Sequence, residues 1–163
     1  VDILVNNAGM SPLYPSLAAV SEELWDKVIG VNLKGPFRLS SVVGTRMAEG
    51  RGGSIINVSS IAAIRPTPLE TPYAAAKAGL NALTIALAHA FGPKVRVNCI
   101  MAGPFLTDIS KAWPQAAIDH IGMTSALRRA GQPHEIVGAA LYFASEASSF
   151  TTGAILQVDG GRP

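Results

Sequence analysis

Residues 54–60 read SIINVSS, and after the ten-residue loop 61–70, residues 71–91 read TPYAAAKAGLNALTIALAHAF. The first stretch is short, apolar and rich in β-branched residues, which is the composition of a strand. The loop is broken by Pro66 and Pro68. The second stretch predicts a helix with Thr71 as N-cap and Pro72 at the first helical position, running to Gly92 and Pro93. VRVNCI at 95–100 follows as another strand. A strand, a helical crossover and a strand make a βαβ unit, with parallel strands and a right-handed connection.

The pattern repeats outward from this unit. VDILV at 1–5 is a near-continuous apolar run, as expected of a strand buried on both faces. Ser21 is a candidate N-cap, with Glu22 and Glu23 in the first turn near the positive end of the helix dipole. That helix continues towards Met47 and is stopped by Gly50, Gly52 and Gly53. Downstream, 108–130 reads as short helical pieces, 133–145 as a helix and AILQVD at 154–159 as a last strand. The expected class is α/β with a parallel sheet, in one domain without repeats or linkers.

Composition narrows the function. Only 15% of the 163 residues are charged, against about 25% in ordinary domains, and 48% are hydrophobic, which excludes a disordered chain. A net charge of +2 without a basic stripe gives no footprint for nucleic acid. No apolar run reaches the length of a membrane span. The single cysteine, Cys99, lies in an apolar strand and reads as a buried structural thiol, which suits a reducing, cytoplasmic setting. No metal is called for.

In open parallel sheets, ligands bind beyond the carboxyl ends of the strands. The loops to inspect are therefore 6–11, 59–70 and 101–112. Tyr73 and Lys77 lie four apart on one helix and share a face. Tyr73 sits in the first turn, where the dipole favours a phenolate, and a lysine ammonium beside it acts the same way. Both effects lower the phenol from its ordinary value near ~10 and make it a usable acid/base. A surface tyrosine and lysine on an alanine-rich helix would look the same. Ser60 ends a strand at the same sheet edge, where its hydroxyl is placed to hold a substrate oxygen; the alternative is a serine that closes a turn. None of the three histidines falls in a strand-end loop, which argues against a serine nucleophile. Asn32, in GVNLKG, is a poor interior helix residue, expected either to bend its helix or to be satisfied at the surface.

Taken together, NNAG (6–9), VNLKG (31–35), GSIINVSS (53–60), YAAAK (73–77), RVNCIMAGPFLTD (96–108) and ILQVDGG (155–161) resemble the short-chain dehydrogenase/reductases in order and spacing. They look most like the single-domain branch of β-ketoacyl-carrier-protein reductases and sugar, steroid and alcohol dehydrogenases. The resemblance implies a Rossmann-like doubly wound parallel sheet, of which this chain carries strands 4 to 7. It implies Tyr73 as catalytic acid/base, with Lys77 depressing its pKa and binding the nicotinamide ribose. Ser60 would orient the carbonyl or alcohol, and Asn32 would hold a water in a proton relay through Lys77. Asn7, Ala8 and Gly9 would border the cofactor, and Gly103, Phe105 and Thr107 would lie along the nicotinamide of NAD or NADP.

The implied reaction interconverts a secondary alcohol and a ketone on a small-molecule substrate. Rival readings are an extended-branch sugar-nucleotide epimerase or dehydratase, and a non-catalytic cofactor-binding relative. The terminal VDGG argues against the first, and the presence of both Tyr73 and Lys77 against the second. Stretches 61–70 and 105–125, Ile109 among them, would line the substrate pocket, with Arg65 either gripping an anionic group or simply solvated. Family members usually form tetramers, pairing the helices that hold Asn32 and Tyr73 and, separately, the last helix and strand. One departure stands out: the family usually has Pro-Gly after the third of these strands, where this chain has Ala102, Gly103 and then Pro104. No G-x-x-x-G-x-G occurs anywhere in the 163 residues, although the family uses that turn to cradle the pyrophosphate. Residues 1–163 are therefore expected to be a partial domain without its glycine-rich half, inactive as a fragment.

Overall fold

The computed structural model describes residues 1–162, without the side chains of Ile109 and Ala112. Four strands form one sheet in sequence order: β1 (Ile3–Asn6), β2 (Gly53–Ser60), β3 (Val95–Ala102) and β4 (Ile155–Val158). Every neighbouring pair is parallel. Five α-helices connect and cover them: α1 (Glu22–Ile29), α2 (Gly35–Glu49), α3 (Thr71–Phe91), α4 (Gln115–Thr124) and α5 (Val137–Ala144). The expected α/β architecture is the one observed. Its boundaries differ slightly: β3 runs two residues past the predicted end, because Met101 and Ala102 pair with β2 on one side and β4 on the other.

The two central strands, β2 and β3, are covered on both faces, which explains why they read as unbroken apolar runs rather than alternating ones. On one face Ile55, Val95 and Val97 pack with Met47 of α2 and Leu87 and Ala88 of α3. On the other, Ile56 and Ile100 pack against Phe143 of α5. Arg96 fastens α5 to β3 by donating to the carbonyls of Phe143 and Ser145 and to the Ser148 hydroxyl. These are the carbonyls that a helix C-terminus leaves without partners, so a cation placed there satisfies them and favours the dipole.

β1 is covered on only one side. Leu4 shares the α2 face with its partner Ile55. Ile3 and Val5 point the other way and are 45% and 49% exposed. The expectation that VDILV is buried on both faces thus holds for one face alone.

The helix read from Ser21 towards Met47 is interrupted. The Ser21 side chain accepts from Leu24 N, as an N-cap should. After Ile29 the chain widens into a five-residue π-turn, Gly30–Lys34, in which Gly35 N reaches Gly30 O, and then resumes as α2. Asn32 sits in that turn and is fully buried. Such bulges are frequent where a helix carries a functional residue.

Candidate active site

Residues from four elements meet at the carboxyl edge of β1–β3. β1 delivers buried Asn6, followed by exposed Asn7, Ala8 and Gly9. β2 ends in Ser60, and α3 begins at Thr71, so Tyr73 lies in its first turn and Lys77 one turn further. Lys77 Nζ donates to Val58 O at 2.8 Å and stands 5.5 Å from the centroid of the Tyr73 ring. Its own carbonyl accepts from Ser59 Oγ at 3.1 Å. The helix therefore is pinned to β2 from both ends of the lysine.

Gly9 shows how tightly the groups converge. A Cβ built there would lie 3.0 Å from Asn32 Oδ1 and 3.6 Å from Lys77 Nζ. Glycine leaves that space open in front of the lysine. Asn32 Nδ2 donates to Met10 O at 2.8 Å and to Val28 O at 2.9 Å, while its Oδ1 accepts from Met10 N at 3.3 Å. The asparagine thus grips the backbone of Met10 at both polar atoms and holds the post-β1 loop on the helix. Of the two options read from the sequence, surface satisfaction is excluded and the bend is realised as the π-turn.

The electrostatics correct one sequence expectation. Burial pushes the Tyr73 phenol above its ordinary value, with Glu70 adding to the rise and the neighbouring Ser60 hydroxyl opposing it. Burial also pulls the Lys77 ammonium down to about 8. Helix dipole and lysine were expected to lower the phenol; desolvation outweighs them, Tyr73 lying against Ser11, Pro12, Tyr14, Leu24 and Val28 while Lys77 is buried against β2. Ser60 Oγ accepts from Ala62 N at 3.2 Å and caps the 3₁₀ turn Ile61–Ala63. Cys99 is fully buried and its thiol is pushed up to about 11, in keeping with a structural role.

The other wall is the turn after β3. Gly103 N donates to Val158 O at 2.9 Å, and a Cβ on Gly103 would come within 2.5 Å of Asp159 Cα. The departure at Ala102 does not loosen this turn: Ala102 pairs with both Ser60 and Val158. Phe105 pairs with Gly131, and its ring covers that glycine, where a Cβ would stand 2.7 Å away. Phe105 therefore packs on the chain rather than opening into a pocket. Thr107 is exposed, and its carbonyl accepts from Ser110. Arg65 is exposed and its guanidinium has no hydrogen-bond partner among the described residues.

Three features lay beyond sequence reasoning. A buried chain of side chains runs from Asn6 Nδ2 to Ser40 Oγ and Asn57 Oδ1, then from Asn57 Nδ2 to Thr84 Oγ1 and on to Leu80 O. It joins β1, α2, β2 and α3 directly behind the site. Asn6 Oδ1 alone in it is buried without a partner. The C-terminal turn is a second: Gly160 O and Gly161 O accept from Leu127 N and Ala126 N, each at 3.0 Å, which ties the segment after α4 to the chain end. Tyr14 is the third: its hydroxyl reaches the start of α3, 57 residues away. A buried asparagine mid-strand is a visible anomaly; the other two contacts carry no local signal.

Comparison with known proteins decides the family. The family model described as enoyl-(acyl carrier protein) reductase matches residues 1–162. The chain belongs to the short-chain dehydrogenase/reductase family. It is 43% identical over 162 residues to the 3-oxoacyl-[acyl-carrier-protein] reductase FabG of Chlamydia trachomatis, covering 99% of this chain and 65% of that one. It is 37% identical over 166 residues to human dehydrogenase/reductase SDR family member 4, covering 100% and 60%. Among solved structures it resembles a gluconate 5-dehydrogenase from Burkholderia cenocepacia in complex with NADP and tartrate, with TM-score 0.94 and 34% identity over 98% of this chain and 64% of that one. A 4-hydroxyisoleucine dehydrogenase complexed with NADH gives TM-score 0.90 and 34% identity over 98% and 68%. The chain thus spans 60–65% of the length of these curated relatives. This short-chain dehydrogenase/reductase chain carries the parallel Rossmann-like arrangement that its motifs implied.

Proposed function

We propose that this chain supplies the reacting centre of an NAD(P)-dependent oxidoreductase that interconverts a secondary alcohol and a ketone. The observation that carries the reading is the convergence of Gly9, Asn32 and Lys77 beside the Tyr73 ring, with Ser60 at the adjacent strand end. These residues suit a nicotinamide nucleotide. Lys77 uses one of its three N–H donors on Val58 O and keeps two for ribose hydroxyls. The space in front of Gly9 admits the nucleotide beside Asn7 and Ala8, and Gly103, Phe105 and Thr107 line the nicotinamide end. When bound, the nicotinamide supplies or accepts the hydride. NADH and NADP appear in the structures of two relatives, which supports either form of the cofactor.

The protein's part is proton transfer and orientation. In reduction, Tyr73 gives its phenolic proton to the carbonyl oxygen as the C–H bond forms; in oxidation its phenolate takes the alcohol proton. Ser60 donates to the same substrate oxygen and holds it within reach. Lys77, at about 8, is still mostly cationic at neutral pH and offsets the cost of the buried phenolate. Both N–H donors of the Asn32 side chain are spent on Met10 O and Val28 O. A relay water at Asn32 therefore rests on an acceptor atom, its Oδ1 or its main-chain carbonyl.

The substrate is a small alcohol or carbonyl compound, bound between 61–70 and 105–125. No helix among the described residues is long and apolar enough to cross a membrane; a cytoplasmic location is part of the same proposal. The working assembly is a homo-tetramer or dimer. A groove of about 520 Å³ between the π-turn and α3, lined by Leu33, Phe37, Gly79, Leu83 and Ala86, is the face that would receive the same helices of a second copy.

Tyr73→Phe in the whole enzyme tests the reading. It is expected to lower kcat by at least 10²-fold while the nucleotide still binds, measured by steady-state absorbance of the nicotinamide and by its fluorescence on titration. Turnover within tenfold of the parent would overturn the assignment. On the same reading, residues 1–163 by themselves, with no G-x-x-x-G-x-G, show no measurable turnover.

A further inference from the structure

The first N–H groups of a helix have no partner within it and are usually capped by the side chain just before. At the start of α3 that arrangement is absent: Glu70 occupies the cap position and makes no capping bond. The cap comes from the loop between β1 and α1. Tyr14 Oη accepts from Thr71 N at 2.8 Å and donates to Pro68 O at 2.7 Å. One hydroxyl thus joins the 3₁₀ turn Pro68–Glu70 to the first residue of the catalytic helix. The Tyr14 ring belongs, with Pro72, to the wall around Tyr73. The other end of its loop is fixed by Asn32 on Met10.

We propose that Tyr14 is a positioning residue for Tyr73: by capping α3 from outside, its hydroxyl sets the height of the first helical turn, and with it the seat of the phenol beside Ser60. This rests on the reading of Tyr73 as the acid/base. The geometry favours a local role over a general one. Both bonds are at the surface, where water replaces them if the hydroxyl is lost, so the fold survives. What water does not replace is the tether between residues 14 and 68–71. Without it the first turn frays and Tyr73 gains solvent. The charged and hydroxyl groups facing Tyr73 are Ser60 from β2, Ser11 and Tyr14 from the loop after β1, Glu70 from the helix start and Lys77 from α3 itself.

Tyr14→Phe keeps the ring and removes only the hydroxyl. Two readouts on the whole enzyme test it. The first is amide hydrogen exchange: Thr71 should exchange at least tenfold faster, with Leu80 and Thr84 in mid-helix unchanged. The second is the titration of Tyr73, followed by NMR of labelled tyrosine, its signal being the one that Tyr73→Phe removes. Its phenol should move down from its raised position towards the ordinary value, because burial is the main cause of the rise. Unchanged Thr71 exchange or an unmoved Tyr73 titration overturns the proposal. So does a general loss of protection across α3, since Tyr14 would then hold the fold rather than the phenol. None of these outcomes depends on turnover, so a failure of the acid/base reading, seen as activity retained in Tyr73→Phe, is separately visible.

Discussion

Tyr73 and Lys77 show what a residue's sequence neighbours convey and what they leave out. Their four-residue spacing does place them on one side of α3, with the ammonium 5.5 Å from the ring. The direction of their pKa changes follows instead from residues distant in sequence: Ser11, Pro12, Tyr14, Leu24 and Val28 lie against Tyr73, and Val58 and Ser59 of β2 hold Lys77. Burial of Lys77 has a testable consequence. Below about pH 8 the lysine is charged in both the folded and the unfolded chain, and the full cost of burying it is felt. Between about 8 and 10.5 the folded chain gives up the Lys77 proton first, so this group's contribution to stability rises, by about 3 kcal/mol across that interval, while from about pH 9 the Cys99 thiol, pushed up to about 11, acts in the opposite sense. Above pH 10 the raised Tyr73 phenol acts in the opposite sense, since the unfolded chain ionises first and stability falls. Lys77→Met is expected to flatten the urea midpoint between pH 7 and 9, below the range where Cys99 acts, and an undiminished rise in that variant would refute the account. Cys99, by contrast, was readable from its apolar strand alone, and it is buried as expected.

Among the elements, the strands and long helices follow local pattern, and the departures sit where long-range contacts intervene. The Gly30–Lys34 π-turn is one: Asn32 reaches Met10 across 22 residues, and the helix accommodates that reach by taking one residue more per turn there. The C-terminal Asp159–Gly161 turn is another. It contacts Gly103 on one side and Ala126 on the other, so it spaces the turn after β3 against the segment that follows α4. Gly161 has φ 71°, and a Cβ there would stand 2.8 Å from Ala126 Cβ. Gly153 has nearly the same φ, 72°, but its Cβ would meet nothing closer than 3.6 Å. Gly161→Ala is therefore expected to destabilise by roughly 1–3 kcal/mol, more than Gly153→Ala, in urea unfolding. Adding Ala126→Gly should recover the part due to collision and leave the backbone strain. Equal costs for the two glycines would show that the turn does not brace the segment. VDGG was legible as a motif, whereas its mechanical task depends on Ala126 and Leu127, more than thirty residues upstream.

At the scale of the molecule, the apolar surface is uneven. Phe37 of α2 is 44% exposed and lines the groove with Leu33, Gly79, Leu83 and Ala86. If that face meets a second copy, Phe37→Glu should shift the assembled enzyme to a smaller species in light scattering, with secondary structure unchanged; an unaltered mass would remove this face from the assembly. The sequence by itself determined the order of strands and helices and the parallel sheet. Those rest on period and turn residues, which act within a few positions; the Thr71 cap read from the sequence is the exception, since Glu70 holds the cap position and Thr71 is the first helical residue. Only the tertiary structure decided which groups are dry, that Asn32 clamps Met10, that Phe105 packs on Gly131, and that Tyr14 caps α3. Those outcomes depend on the distance between residues that the fold brings together, and burial of Tyr73 outweighs the lowering expected from helix dipole and lysine.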